Sequence, residues 1–387
     1  MNTLPIYITN ANIVLAEDVL TNASLYIENG LISAINPDIV PDQVQTIDAQ
    51  GKTVMPGMID LHCDALEKEV EPRPNVHFPI DFACAQADKR NAGAGITTVY
   101  HALSFANEEL GVRNNQFAKE IAEAVHQFQP HALVDNRVHC RYEITDPIGL
   151  PILMELMEKQ SMHLVSLMDH TPGQGQFKDL AAYKAYFGKS YQKSDAELDQ
   201  FIAQKQQQAE GAMERVEQLV KMAHAQGISV ASHDDDCKER VDTMTALGVD
   251  ISEFPINMET AEYARAKGMK TIMGAPNILR GKSQSGSMRA LDAVNAGVCD
   301  CLCADYSPAT LIMAVFKLAE VSELTLAQAI KLVTKNPAEA AKLHDRGVIE
   351  VGKRADIIMI ANLDGLVQVS DVFVEGVLAF KASYDHA

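Results

Sequence analysis

The sequence predicts a (β/α)8 TIM barrel carrying a small β-sandwich-like domain assembled from the N- and C-terminal segments. Three observations predict it. Apolar strand-like runs alternate with amphipathic helical stretches through the middle of the chain, the two ends share a different, purely β texture, and histidines and carboxylates recur at the ends of the middle runs.

Residues 1–55 read as short strands with turn punctuation: IYITNANIVL, then SLYIENGLISAI with Asn29-Gly30 as a hairpin turn, then QTIDAQGKTVMPG. Residues 346–387 return to that texture in GVIEVGKRADIIMI and DVFVEGVLAF, so 1–55 and 346–387 are expected to pair into one composite β-domain. Residues 56–345 form the barrel. Its eight runs are GMIDLHCD (57–64), GITTVYHAL (95–103), NRVHCRYE (136–143), MHLVSLMDH (162–170), GISVASHDD (227–235), VDISEFP (249–255), MKTIMGAP (269–276) and CDCLCADYS (299–307). Such a barrel takes roughly 250 residues, which leaves room for an insertion. That insertion is expected at 171–226, where Ser194 and Glu197 make a capping box before a helix rich in Gln and Ala, either a solvated surface helix or a lid or dimer element.

A chain of 387 residues that is 47% hydrophobic can bury a large core. A formal charge of -19 repels polyphosphate backbones and argues against nucleic acid or an anionic membrane as a partner. No run approaches the roughly 18 apolar residues of a membrane helix, and MNTLPIYITN has no basic or apolar leader region, so a cytoplasmic protein is expected. Seven cysteines without a secretory signal argue against a disulfide framework. Cys299, Cys301 and Cys303 alternate along the eighth run, where small residues filling the barrel are favoured over a thiolate metal site. The oligomeric state stays open between monomer and homo-oligomer.

Barrels of this kind place their chemistry at the C-terminal strand ends. There the sequence offers His62 and Asp64 on the first run, Glu143 on the third, His170 on the fourth, His233 on the fifth and Asp305 on the eighth. Strand alternation puts His62 and Asp64 on one face, and likewise Ser229, Ala231 and His233, and Cys301, Cys303 and Asp305, so small residues fill the barrel and a ligand crowns it. Imidazole mixed with carboxylate suits one or two divalent transition metal ions, Zn, Mn or Fe(II), better than Ca or Mg. His101 could stand behind the ligands, and His139 is expected too deep in the barrel to act. The remaining histidines, His77, His126, His131, His163, His224, His344 and His386, receive no role.

The run Pro56-Gly57-Met58-Ile59-Asp60-Leu61-His62 matches the signature PG-x-ID-x-H, through which the chain resembles the amidohydrolase superfamily. Further segments are similar to the ribose-triphosphate diphosphatases of the carbon-phosphorus lyase pathway. They are His62-Cys63-Asp64, EPRPNV (71–76), SLMDHTPGQGQF (166–177), ASHDDD (231–236), EFP (253–255), MGAPNILRG (273–281), ADYSPA (304–309), KLVTKNPAEA (331–340) and DRGVIEVGKRADI (345–357). The resemblance implies hydrolysis of alpha-D-ribose 1-methylphosphonate 5-triphosphate to the 5-phosphate and pyrophosphate in phosphonate catabolism. Two departures stand out: Asp64 where the superfamily usually has His, and no fourth-strand Lys suited to carboxylation, which leaves Glu143 to bridge the metals. His170 and His233 also follow runs four and five, where the superfamily usually uses five and six.

The expected mechanism is attack of an ion-activated water on the α-phosphorus, with Asp305 both touching the metal and accepting the water proton. The anionic, phosphorylated sugar needs a positive patch, for which Lys68, Arg73, Arg141, Arg280 and Lys282 lie on or just beyond the predicted mouth. Arg73 is stiffened between two prolines, and Arg280 and Lys282 sit in NILRGKSQSG, read as a loop. Rival readings are hydrolysis of an amide or cyclic amide, against which the basic cluster argues, and a catalytically inactive, scaffold-like homologue without metals.

Overall fold

Both chain ends enter one sheet in the computed structural model, which describes residues 4–106, 113–170, 199–200, 202–203, 207–283 and 287–384. The N-terminal end supplies β1 (Ile6–Val14), β2 (Val19–Glu28), β3 (Leu31–Ile35), β4 (Gln45–Asp48) and β5 (Thr53–Pro56), and the C-terminal end β14 (Ile357–Leu363), β15 (Leu366–Val374) and β16 (Val377–Lys381). The strand order is β16-β15-β14-β5-β1-β2-β3, with β4 also beside β1. The antiparallel pair β5 and β14, with Ile357 opposite Pro56, stitches the termini together. Asn29 and Gly30 both take positive φ, 53° and 77°, the backbone of the tight hairpin joining β2 and β3. One face of the sheet buries Ile8, Ile13, Leu25, Ile357 and Phe373. Met55, Ile358 and Val369 pack instead with Met58 and Ile96, which seats the sheet on the barrel.

All eight middle runs are strands: β6 (Met58–Cys63), β7 (Ile96–Phe105), β8 (Asp135–Glu143), β9 (Leu164–Met168), β10 (Ser229–His233), β11 (Ile251–Glu253), β12 (Lys270–Gly274) and β13 (Cys301–Cys303). They pair in sequence order, and a parallel bridge between Cys63 and Asp305 closes the ring. There the Asp305 N–H donates to the His62 carbonyl at 2.9 Å and the Asp64 N–H to the Asp305 carbonyl at 2.8 Å. Away from this bridge the Ile59 N–H donates to the Val333 carbonyl and the Leu302 N–H to the Leu332 carbonyl, so edge groups of β6 and β13 bond there to the segment 332–333. The architecture is a TIM barrel with a β-sandwich-like domain from the two termini. Ile59, Leu61, Tyr100, Leu164, Ala231, Ile251, Ile272, Cys301 and Cys303 fill the interior in layers. The cysteines are free, and burial drives the Cys301 and Cys303 thiols well above their ordinary range, so they act there as small apolar residues.

One local irregularity decides the site. Since Ile59 and Leu61 fill the interior, plain alternation would turn His62 outward. The register instead runs from the pair Asp60–Val99 to the pair Cys63–His101, three steps along β6 against two along β7. This bulge resets the parity and brings His62 and Asp64 to the mouth, so the inward face that simple alternation assigned them rests on an extra residue. Asp60 supports the bulge: its Oδ1 accepts from the His62 N–H at 3.2 Å and the Ala304 N–H at 2.9 Å.

Helices follow the strands, among them α1 (Ala65–Val70) and α2 (Ile80–Gly93). Among the described residues no helix is long and apolar enough to cross a membrane. Ser194 and Glu197, the expected capping box, lie outside the described residues.

Candidate metal centre

His62 is buried at the end of β6 and is held from both sides. Its Nε2 lies 3.2 Å from Asp64 Oδ1 and its Nδ1 2.8 Å from Glu253 Oε1. Donor atoms of His62, Asp64 and Asp305 all fall within 4.8 Å of one another, and so do those of His62, His139 and Glu253. His233 closes the group, with its ring centroid 6.0 Å from that of His62 and its Nδ1 3.1 Å from Asp234 Oδ2. On the neighbouring strands the Glu143 carboxylate meets His170 Nδ1 at 2.8 Å and accepts the Thr145 hydroxyl at 2.9 Å. The Asp234 carboxyl is held below its ordinary range, against burial, by His233 first and then by the nearby His170.

Three residues of this mouth take left-handed backbone, as several residues do elsewhere in the chain. Asp234, just past β10, Phe254, just past β11, and Asp305, beyond β13, have φ of 55°, 54° and 55°. Left-handed backbone at a non-glycine residue costs roughly 1 kcal/mol or more, so the packing around the mouth must hold these three residues in place.

The electrostatics are those of anionic donors short of a cation. Burial opposes a charge on His62, yet Glu253 and Asp64 hold its proton so firmly that its pKa rises to about 10. Burial would likewise raise Glu253, but His62 and the neighbouring histidines bring it down to about 2. Asp64, half-buried, is pulled below the carboxylate range by Arg141 and His62 against the effect of burial. Burial pushes Asp305 up, against the pull of His62. Glu253 Oε2 and His139 Nε2 are buried without a hydrogen-bond partner. Converging carboxylates, imidazoles and unsatisfied donor atoms fit a transition metal ion, which would replace the proton as counter-charge.

Of the five expected cations, the structure brings one into this cluster. Arg141 is 8% exposed, with Nη1 3.5 Å from Asp64 Oδ1 and Nη2 3.4 Å from His233 Nε2. Lys68, on α1, and Arg73, Arg280 and Lys282 are exposed to solvent. The stretch before Lys282 differs from the expected loop: Ala275–Arg280 is a short helix opened by Pro276, with Arg280 as its last residue.

Several residues here went unnoticed in the sequence. Glu253 ends the sixth strand on the same face as Ile251, a signal equal to the one that singled out His233. His139, expected too deep in the barrel to act, has its ring centroid 5.3 Å from that of His62 and a donor atom in the cluster. Arg113 pairs with Glu67 at 3.0 Å and approaches Asp64 at 3.8 Å, and Arg240 lies 3.3 Å from Asp169. His101 points away from the site: its Nε2 meets Asn136 Oδ1 at 2.8 Å, and Asn136 in turn donates to Asp88 on α2. The strand count stands, so His170 follows the fourth strand, His233 ends the fifth and Glu253 the sixth.

Comparison with known proteins sets this geometry in context. The Amidohydrolase family matches residues 53–379. Alpha-D-ribose 1-methylphosphonate 5-triphosphate diphosphatase of Escherichia coli (strain K12) is 36% identical over 380 residues, covering 96% of this chain and 100% of that protein. Imidazolonepropionase of Thermoplasma volcanium is 24% identical, covering 94% of this chain and 92% of that protein. Among solved structures, 5-methylcytosine deaminase from Klebsiella pneumoniae liganded with 5-fluorocytosine superposes with a TM-score of 0.66 at 15% identity, covering 98% of each chain. N-acetylglucosamine-6-phosphate deacetylase from Pasteurella multocida superposes with a TM-score of 0.65 at 14% identity, covering 96% of this chain and 98% of that chain. The structural likenesses show the shared fold.

Proposed function

The chain belongs to the amidohydrolase family and is a hydrolase of acid anhydrides, and on that premise we propose that it cleaves alpha-D-ribose 1-methylphosphonate 5-triphosphate to the 5-phosphate and pyrophosphate. The observation that carries this reading is the 36% identity to the Escherichia coli diphosphatase across the full length of that protein. Arg141, a permanent cation buried among the donors, supports it, because such a charge suits a polyanionic substrate better than a neutral amide.

His62, Asp64 and Asp305 would hold one metal ion with His233, and Glu143 and His170 would supply donors for a second. When bound, a divalent ion supplies Lewis acidity and positive charge beside the triphosphate. The chain's own residues do the rest. Asp305, whose pKa burial raises, accepts a proton from the water that attacks the α-phosphorus. The α–β anhydride bond breaks, and its electron pair leaves with pyrophosphate. Arg141 offsets phosphate charge within the mouth, while Lys68, Arg73, Arg280 and Lys282 are exposed and would meet the polyanion only from outside the donor cluster.

The test is pyrophosphate release from the ribose 5-triphosphate by apo-protein supplemented with Mn, Zn or Fe(II), run beside a panel of amides and cyclic amides. Release from the triphosphate is expected. Preference for a cyclic amide would overturn the substrate, and inertness toward every compound with metal bound would favour an inactive homologue.

A further inference from the structure

We propose that Glu253 is a positioning residue: its buried carboxylate takes the Nδ1–H of His62 and so turns the Nε2 lone pair of that ring toward Asp64 and Asp305. The inference rests on the reading of His62 as a metal ligand. His62 belongs to two groups of converging donors, one with Asp64 and Asp305 and one with His139 and Glu253. A neutral imidazole has a single lone pair and can complete only one of them.

Two hydrogen bonds decide which. His139 Nδ1 lies 2.9 Å from the Leu61 carbonyl, and a carbonyl only accepts, so His139 carries its proton on Nδ1 and Nε2 is a lone pair. His139 therefore has no N–H to give Glu253. The donor to Glu253 Oε1 is His62 Nδ1, at 2.8 Å. With Nδ1–H held by Glu253, the ring presents Nε2 to the mouth, where it gives a second proton to Asp64 Oδ1 at 3.2 Å, and that proton is the one a bound metal ion would displace. Glu253 itself is fully buried at the end of β11, and its second oxygen lies 3.9 Å from His233 Nε2. A carboxylate behind a ligating histidine fixes the tautomer and ring orientation, and its loss typically weakens metal binding by about 10- to 100-fold.

The experiment measures zinc dissociation constants by chelator competition on the full apo-chain, for the parent, His62→Ala, Glu253→Ala and Glu253→Gln. We expect Glu253→Ala to weaken zinc by about 10- to 100-fold. Glu253→Gln, whose amide oxygen can still accept the Nδ1–H, should recover much of that loss. Long-range 15N spectra of labelled histidine in the zinc-loaded proteins should show His62 protonated at Nδ1 in the parent and in Glu253→Gln, and a mixture of Nδ1–H and Nε2–H rings in Glu253→Ala. If His62→Ala loses zinc while Glu253→Ala binds it like the parent, the positioning role fails and the ligand role stands. If Glu253→Ala and Glu253→Gln both lose zinc as completely as His62→Ala, Glu253 is itself a ligand and the inference is overturned. If His62→Ala binds zinc normally, the metal-ligand reading fails first.

Discussion

Inside the barrel mouth the guanidinium of Arg141 faces the carboxylate of Asp64 across 3.5 Å, almost sealed from solvent. Both groups come from strand ends, and with the Arg141 side chain 10% and the Asp64 side chain 18% exposed, water screens the pair only weakly. Arg141→Met, which keeps the volume and removes the charge, should lower kcat/KM for the triphosphate by about 30-fold, the equivalent of about 2 kcal/mol for one lost charge-assisted contact. Steady-state kinetics on metal-saturated protein would show it. Unchanged kinetics would assign Arg141 to the structure of the site alone.

Metal content should follow the cluster. Elemental analysis of purified protein is expected to find one to two equivalents of a transition metal. His233→Ala and His170→Ala should each reduce that content together with activity. A fully active protein containing no metal would refute the proposed centre.

Asp305→Asn separates proton transfer from binding. Asp305 has φ of 55°, a region that Asn tolerates well, so the backbone should keep its path. The amide can fill the same space but cannot take a proton. Metal should be retained while turnover falls by about 10²- to 10⁴-fold. If turnover stays within roughly threefold of the parent, another carboxylate is the base, and Asp169 or Asp234 is next in line.

Acid stability should depend in part on His101. Burial lowers its pKa to about 4, and it donates through Nε2 to Asn136. The unfolded chain protonates this group near its ordinary value of about 6.5, while the folded chain resists until about 4. Between those values the unfolded state binds the extra proton, so stability is present above about 6.5 and is lost as pH falls toward 4. Burial shifts His139 and His163 in the same direction, so His101→Gln should remove only part of the loss. Urea midpoints at pH 7 and pH 5 would measure it. An equal drop in parent and variant would sink the assignment.

Gly57 joins the terminal sheet to the barrel, and a Cβ there would overlap the Thr97 side chain. Gly57→Ala should destabilise the fold by about 1 to 3 kcal/mol, the usual cost of overpacking. A thermal or urea transition unchanged from the parent would show that Thr97 moves aside freely.

Several features were legible in the residues themselves. The eight strand runs, the β texture of both ends and the Asn29-Gly30 turn depend on local patterning, which the backbone obeys wherever it lies. Parity on β10, which aims His233 at the mouth, follows from the two-residue repeat of a strand, whereas Asp305 lies two residues past β13 in left-handed backbone that no strand repeat announces. What only the folded chain decided is non-local. His62 reaches the mouth through a bulge in its register with β7, supported by Asp60, and strand alternation carries no sign of that extra residue. Glu253 meets His62 across 191 positions of sequence because ring closure sets β11 across the mouth from β6. The same closure admits Arg141 among the donors and leaves Lys68, Arg73, Arg280 and Lys282 in solvent. Charge and spacing name the groups that can act, but their distances are set by cross-strand register and the path of each loop, and these exist only once the barrel has closed.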